Sequence, residues 1–155
     1  MTETARVHDR SARPGVCNLE FGSDGIAVIR LGAPDEGMIT LTEQRLDSLE
    51  AAADELAGRD DLRGVIVTGP RPGMFAAGAD IGMIQSVTTP EQGAEGAVRG
   101  TTIFGKLGAL PVPVVAAIDG PCLGGALEMS LALDYRIAAK GNQTSIGLPE
   151  VKPGI

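Results

Sequence analysis

The chain has a single histidine, His8, two cysteines, and only three Phe and one Tyr as aromatic residues, with no Trp. One histidine excludes a histidine-rich metal site and a histidine-based triad within the chain. Cys17 and Cys122 do not make a disulfide framework; both read as buried thiols, and no nearby base activates Cys122. So few aromatics leave little for base stacking. With 13 basic against 20 acidic residues, a net charge of -7, and no Lys/Arg cluster, no nucleic-acid partner is expected. No run reaches the roughly 18 apolar residues of a membrane span, and the polar leader, residues 1–14, lacks the apolar core of a signal peptide. The leader, which carries His8, is expected to be flexible, and the protein to be cytoplasmic. Without a secretory signal, the sequon at Asn142-Gln143-Thr144 carries little meaning.

What is present suits one globular domain: 155 residues, 43% apolar and 21% charged. Cys17, Leu19 and Phe21 alternate with Asn18 and Glu20, the pattern of a half-buried strand. Ser23-Asp24-Gly25 then turns the chain into a second strand, Ile26 to Leu31, making a hairpin. Thr40 and Glu43 fit a capping box ahead of a helix whose Leu46, Leu49, Ala53 and Leu56 form one apolar stripe. VIVTG after Arg63 and VVAAI after Pro113 read as buried strands, so strands and helices alternate in an α/β domain.

Between them lies the loop GPRPGMFAAGADIG, from Gly69 to Gly82, which is not a Walker phosphate loop because the Gly-Lys-Ser/Thr ending is missing. Asp80 is placed to cap a short helix through Gln85. Pro90 to Leu110 reads as helical but weakened by Gly93, Gly96, Gly100, Gly105 and Gly108, each costing roughly 1 kcal/mol relative to Ala inside a helix.

The richest stretch begins at Ile118. Gly124 and Gly125 precede ALEMSLAL, a run of good helix formers, which predicts a helix N-terminus whose unpaired N–H groups can hold a developing oxyanion. Glu128 falls about one turn into that helix, at roughly 3.6 residues per turn. Glu150 follows 22 residues later in GLPEVKPG, presented from a turn by Pro149. Two carboxylates in one site can divide general-acid and general-base work. Each, taken alone, also fits an ordinary helix acid and a solvated loop acid.

This stretch, with GMFAAGADIGMIQ from Gly73 to Gln85, resembles the crotonase (enoyl-CoA hydratase/isomerase) family. Within it the chain is most similar to the hydratase portion of multifunctional fatty-acid oxidation alpha subunits. The resemblance implies a spiral of repeated strand-strand-helix units, with the glycine-weakened helix walling an acyl pocket. It implies an acyl-CoA thioester substrate and, as activity, hydration of a 2-enoyl-CoA by syn addition of water in fatty-acid beta-oxidation, with no cofactor because coenzyme A is part of the substrate. Glu128 and Glu150 would be catalytic, and the N–H groups of Ala79 and Gly125 would form the oxyanion hole. Ala77, Gly78, Asp80, Ile81 and Gly124 would bind substrate. An isomerase of the same fold, or an acyl-CoA-binding or interaction fragment, stays open beside the hydratase.

The sequence departs from the family in three places. The glycine run is Gly124-Gly125-Ala126. Where the family has a basic residue before a proline and an asparagine after it, this chain has Ala33-Pro34 and Met38-Ile39, which leaves Arg71 or Lys152 as the candidate contacts to the CoA nucleotide. Finally, Ile155 follows soon after the second acid, so residues 15–155 are expected to form the N-terminal part of the family domain, without the C-terminal helices that make its trimer contacts. Exposed apolar surface is the corollary.

Overall fold

The computed structural model describes residues 12–150. His8, Lys152 and most of the expected leader therefore lie outside the described residues. Within it, the Arg13 backbone N–H donates to the Asn18 side chain at 2.8 Å and its carbonyl accepts from the same side chain at 3.1 Å.

The expected hairpin is β1 (Asn18–Phe21) with β2 (Ile26–Arg30), antiparallel, with Leu19 opposite Ile29. Cys17 and Leu19 face inward as the alternation predicts, but Phe21, at the strand's outer end, stays 42% exposed. The Arg59 guanidinium sits 4.0 Å over its ring instead. Helix α1 (Glu43–Ala57) buries Leu46, Leu49, Ala53 and Leu56, the stripe read from spacing. Its cap differs from expectation: Thr42, not Thr40, accepts from the Arg45 N–H at 3.2 Å. Thr40 is committed elsewhere, its hydroxyl donating to Asp80 and its carbonyl accepting from the Arg45 guanidinium.

Strand β3 (Gly64–Thr68) pairs parallel with β2, and β5 (Val114–Ile118) parallel with β3, which places Val67 between Ile29 and Ala116. Strand β7 (Tyr135–Ala138) closes a five-stranded sheet in the order β1-β2-β3-β5-β7. A second, parallel sheet is built from three very short strands: β4 (Ala76–Ala77), β6 (Pro121–Leu123) and β8 (Ser145–Gly147). Strands β3, β5 and β7 each feed a short one, and helices α2 (Ile81–Ser86) and α4 (Gly125–Ala132) follow the first two pairs. This is the strand-strand-helix repetition expected. Its corners are tight: a side chain at Gly120 would come within 2.5 Å of the Gly73 carbonyl, and the backbone there has φ 114°.

Helix α3 (Pro90–Gly108) forms despite its glycines for reasons partly invisible to propensity. Thr89 and Gln92 make a capping box and Pro90 opens the first turn. Arg99 pairs with Asp47, and Lys106 with Glu50 at 2.7 Å and Asp54 at 2.9 Å, clamping α3 to α1. Ile103, Phe104 and Leu107 anchor only its second half in the core. That core runs between α1, α3 and the large sheet through Ile29, Leu49, Leu56, Val67 and Val114, and on to Phe75 and Met129 near the small sheet. At the far edge, Leu131, Tyr135, Ile137, Ile146 and Leu148 of α4, β7, β8 and the turn after it are exposed.

Candidate active site

The site forms where the two glycines meet the Gly69–Gly82 loop. Gly124 caps α4 with φ 53° and ψ −130°, a conformation that side chains rarely adopt, and its N–H donates to Gly147 of β8 at 3.0 Å. Gly125 is the first residue of α4, and Glu128 follows in the first turn, its N–H bonded to the Gly124 carbonyl at 3.0 Å. The loop side is organised by Ile39, Thr40 and Leu41, which run alongside Ala77–Asp80. Ala77 N–H donates to Ile39 O at 2.8 Å, Leu41 N–H to Gly78 O at 2.8 Å, and Asp80 N–H to Leu41 O at 3.4 Å. This pairing uses the Ala77 and Asp80 N–H groups and the Gly78 carbonyl, and leaves the Ala79 N–H over. Among the described residues, neither Ala79 N–H nor Gly125 N–H has an acceptor.

The two donors and one acid converge. A methyl built on Gly125 would stand 3.8 Å from Ala79 N, 3.8 Å from Glu128 Oε2 and 3.5 Å from Leu41 Cδ1. All four residues line one mainly apolar cavity of about 690 Å³, together with Met83 and Phe104. Gly93, Gly96, Gly100 and Gly105 of α3 line it too, so the glycines that weaken the helix also clear its inner face. Two amide donors unpaired among the described residues, beside a carboxylate in a mainly apolar cavity, can hold a developing oxyanion next to a proton-transfer group.

Glu150 arrives from the third strand of the same small sheet. Parallel pairing sets Leu123 of β6 opposite Gly147 of β8, and three residues later the Glu150 carboxylate lies against Gly124, where any side chain would collide with it. Glu150 borders the site beside Gly124 and does not line the large cavity. Gly78, with φ 87°, packs its Cα 3.6 Å from where a Gly124 side chain would begin. The remaining expected binding residues are not gathered here. Asp80 caps α2, accepting from Gly82 N–H at 2.9 Å and Met83 N–H at 3.3 Å, and Ile81 is 66% exposed. Ala77 lines a separate cavity of about 300 Å³ with Met38, Ile39, Phe75 and Arg71, the described one of the two basic residues singled out for the CoA nucleotide.

Both thiols are buried, as read from the sequence. Burial pushes the Cys17 thiol up to about 11 and raises that of Cys122, whose Sγ lies 3.6 Å from Ser130 Oγ. Among the described residues, no three His, Cys, Asp or Glu side chains gather as a metal site requires.

One feature beside the site was missed in the sequence. Arg45, 2% exposed, bonds Thr40 O at 2.5 Å through Nη1 and Glu36 Oε2 at 2.6 Å through Nη2. Burial by itself would raise the Glu36 carboxyl, but the Ala33 N–H, the Arg45 guanidinium and the Gly15 N–H bonded to it hold it below the ordinary carboxylate range. A readable signal existed: Arg45 stands four residues before Leu49, on the stripe that the helix buries.

Comparison with known proteins gives a consistent result. A family model described as enoyl-CoA hydratase/isomerase matches residues 22–155. The chain is 40% identical over 138 residues to the fatty acid oxidation complex subunit alpha of Vibrio vulnificus and 39% over 137 residues to that of Idiomarina loihiensis. These alignments take in 89% and 88% of this chain but 20% and 19% of those proteins, so the chain spans about a fifth of their length. Among solved structures, an enoyl-CoA hydratase/carnithine racemase from Magnetospirillum magneticum superposes with a TM-score of 0.83 at 30% identity, covering 93% of this chain and 53% of that one. An enoyl-CoA hydratase from Bacillus anthracis gives 0.79 at 31% identity, covering 90% and 52%.

Proposed function

The chain belongs to the enoyl-CoA hydratase/isomerase family, and from that premise we propose that its site hydrates a 2-enoyl-CoA thioester. The observation that carries this reading is the convergence of the unpaired Ala79 and Gly125 N–H groups with Glu128 in one cavity.

In this reading the thioester oxygen sits between the two N–H groups. Glu128, as carboxylate, takes a proton from water while the water oxygen bonds to C3. The π electrons of the double bond move toward the thioester oxygen, and the two donors stabilise the enolate-like charge; losing one such donor costs about 3 kcal/mol in sites of this type. Glu150, as the acid, then delivers its proton to C2 on the same face, completing syn addition. Proton exchange with solvent resets both carboxyl groups. No cofactor enters, since coenzyme A is part of the substrate, and the reaction would serve fatty-acid oxidation in the cytoplasm.

One observation favours a second reading. Only Glu128 of the two acids lines the large cavity, and a single acid that moves a proton between C2 and C4 suffices for 3-enoyl to 2-enoyl isomerisation. Supplying the purified chain with a 2-enoyl-CoA and a 3-enoyl-CoA in separate reactions decides between them. A hydratase consumes the conjugated thioester absorbance of the first and yields a 3-hydroxyacyl-CoA. An isomerase generates that absorbance from the second. Binding without either change would leave an acyl-CoA-binding module and overturn both.

A further inference from the structure

A buried arginine is a poor device for stability alone. Removing a guanidinium from water is costly, and even a good ion pair often does no better than apolar residues of the same volume. Arg45 illustrates the difficulty, since its Nε is buried with no hydrogen-bond partner among the described residues.

What Arg45 holds is more informative than what it contributes to burial. Its ion pair with Glu36 fixes the start of the 33–41 segment, because Glu36 Oε1 accepts from Ala33 N–H at 2.8 Å. Its Nη1 fixes the end of that segment at the Thr40 carbonyl. Thr40 lies between the two residues, Ile39 and Leu41, whose backbones pair with Ala77, Gly78 and Asp80. The Thr40 hydroxyl adds a contact to Asp80 Oδ2 at 3.3 Å. One guanidinium therefore clamps the far side of a segment whose near side sets the direction of the Ala79 N–H. The Gly125 donor, by contrast, is placed by α4 and β8; its neighbour in the clamped segment is the Leu41 side chain, and no hydrogen bond among the described residues joins it to that segment.

We propose that Arg45, with Glu36, is a positioning residue that aims the Ala79 N–H at the thioester oxygen. The proposal rests on the reading of Ala79 and Gly125 as the oxyanion-binding pair. A misplacement of about 1 Å in such a site can cost on the order of 100-fold, and that is the scale of effect expected in kcat.

The test is the double variant Arg45→Met/Glu36→Gln, which removes both charges together and leaves no unpaired ion. Three quantities are read well below its melting temperature: the amide NMR signals of Ala79 and Gly125 in the free chain, kcat and KM for crotonyl-CoA, and the enolate absorbance of bound acetoacetyl-CoA. The expected result is an Ala79 signal displaced more than that of Gly125, kcat lower by about 100-fold with KM changed far less, and a weaker enolate band. Arg45→Lys, which can reach one of the two acceptors but not both, should fall in between. An unmoved Ala79 signal, or a variant that is less stable yet keeps its enolate band and kcat, overturns the proposal and leaves Arg45 a structural residue. A wild-type chain that neither enolises acetoacetyl-CoA nor turns over crotonyl-CoA overturns the underlying reading instead, even if the Ala79 signal moves.

Discussion

Replacing Gly125 by Ala separates the fold from the chemistry at the centre of the site. The new methyl would meet Leu41 Cδ1 at 3.5 Å, Ala79 N at 3.8 Å and Glu128 Oε2 at 3.8 Å, all ordinary van der Waals separations. Gly125 lies in the first turn of α4 without a positive φ, so Ala fits its backbone and gains up to about 1 kcal/mol of helix propensity. For a domain of this size that is a melting temperature unchanged or raised by about 2–4 °C. The same methyl, however, enters the space that the Ala79 N–H and Glu128 border. It should crowd an oxygen that must lie about 2.7–3.1 Å from both nitrogens, and loss of one donor alone lowers kcat by about 10²–10³. Thermal unfolding and crotonyl-CoA hydration, measured on the same preparation, therefore move in different directions. A stable variant that turns over at the wild-type rate would refute the location of the site. Gly124→Ala is the control: its side chain strikes Glu150 from a φ 53° backbone, so stability and activity should fall together.

Three further outcomes follow from the same geometry. A Cβ at Gly96 meets nothing within 4 Å, so Gly96→Phe should fit the helix while projecting into the cavity, lowering kcat/KM for long-chain enoyl thioesters and sparing crotonyl-CoA, as competition between the two substrates would read. Leu49→Ala, at a fully buried position between α1 and the sheet, should lose about 2–5 kcal/mol in urea unfolding. The Glu36 carboxyl is held below its ordinary value of 4.5, so its contribution to stability is present above that pH and is lost as pH falls through the lower folded-state value. Glu36→Gln should remove that part of the acid sensitivity, so that urea midpoints at neutral and acid pH differ less in the variant than in the wild type.

Local signals in the sequence located the elements around the candidate site. The β-branched runs at Gly64–Thr68 and Val114–Ile118 became central strands, Asp80 caps α2, and the glycine pair opens α4. Each depends on chemistry within a few residues. The small sheet was illegible because β4, β6 and β8 are two or three residues long and contain too few positions for any period to appear. Yet its β6–β8 pairing is what carries Glu150 to Gly124. Thr40 looked like a cap because its spacing to Glu43 is right; a tertiary demand for its carbonyl and hydroxyl moved the cap to Thr42. The glycines of α3 read only as a weakness. Their second role emerged once α3 lay along a cavity that side chains would have filled.

The proposed hydration depends most directly on Glu128 and Glu150 acting together with the two amide donors. Crotonyl-CoA hydration by the wild-type chain, followed beside Glu128→Gln and Glu150→Gln, measures this. These substitutions keep size and hydrogen-bonding shape while removing the proton-transfer group. Turnover is expected in the wild type and its near-abolition in each variant, with thioester binding retained. Unchanged hydration in either variant, or a folded wild-type chain that binds the thioester without adding water, would contradict that expectation.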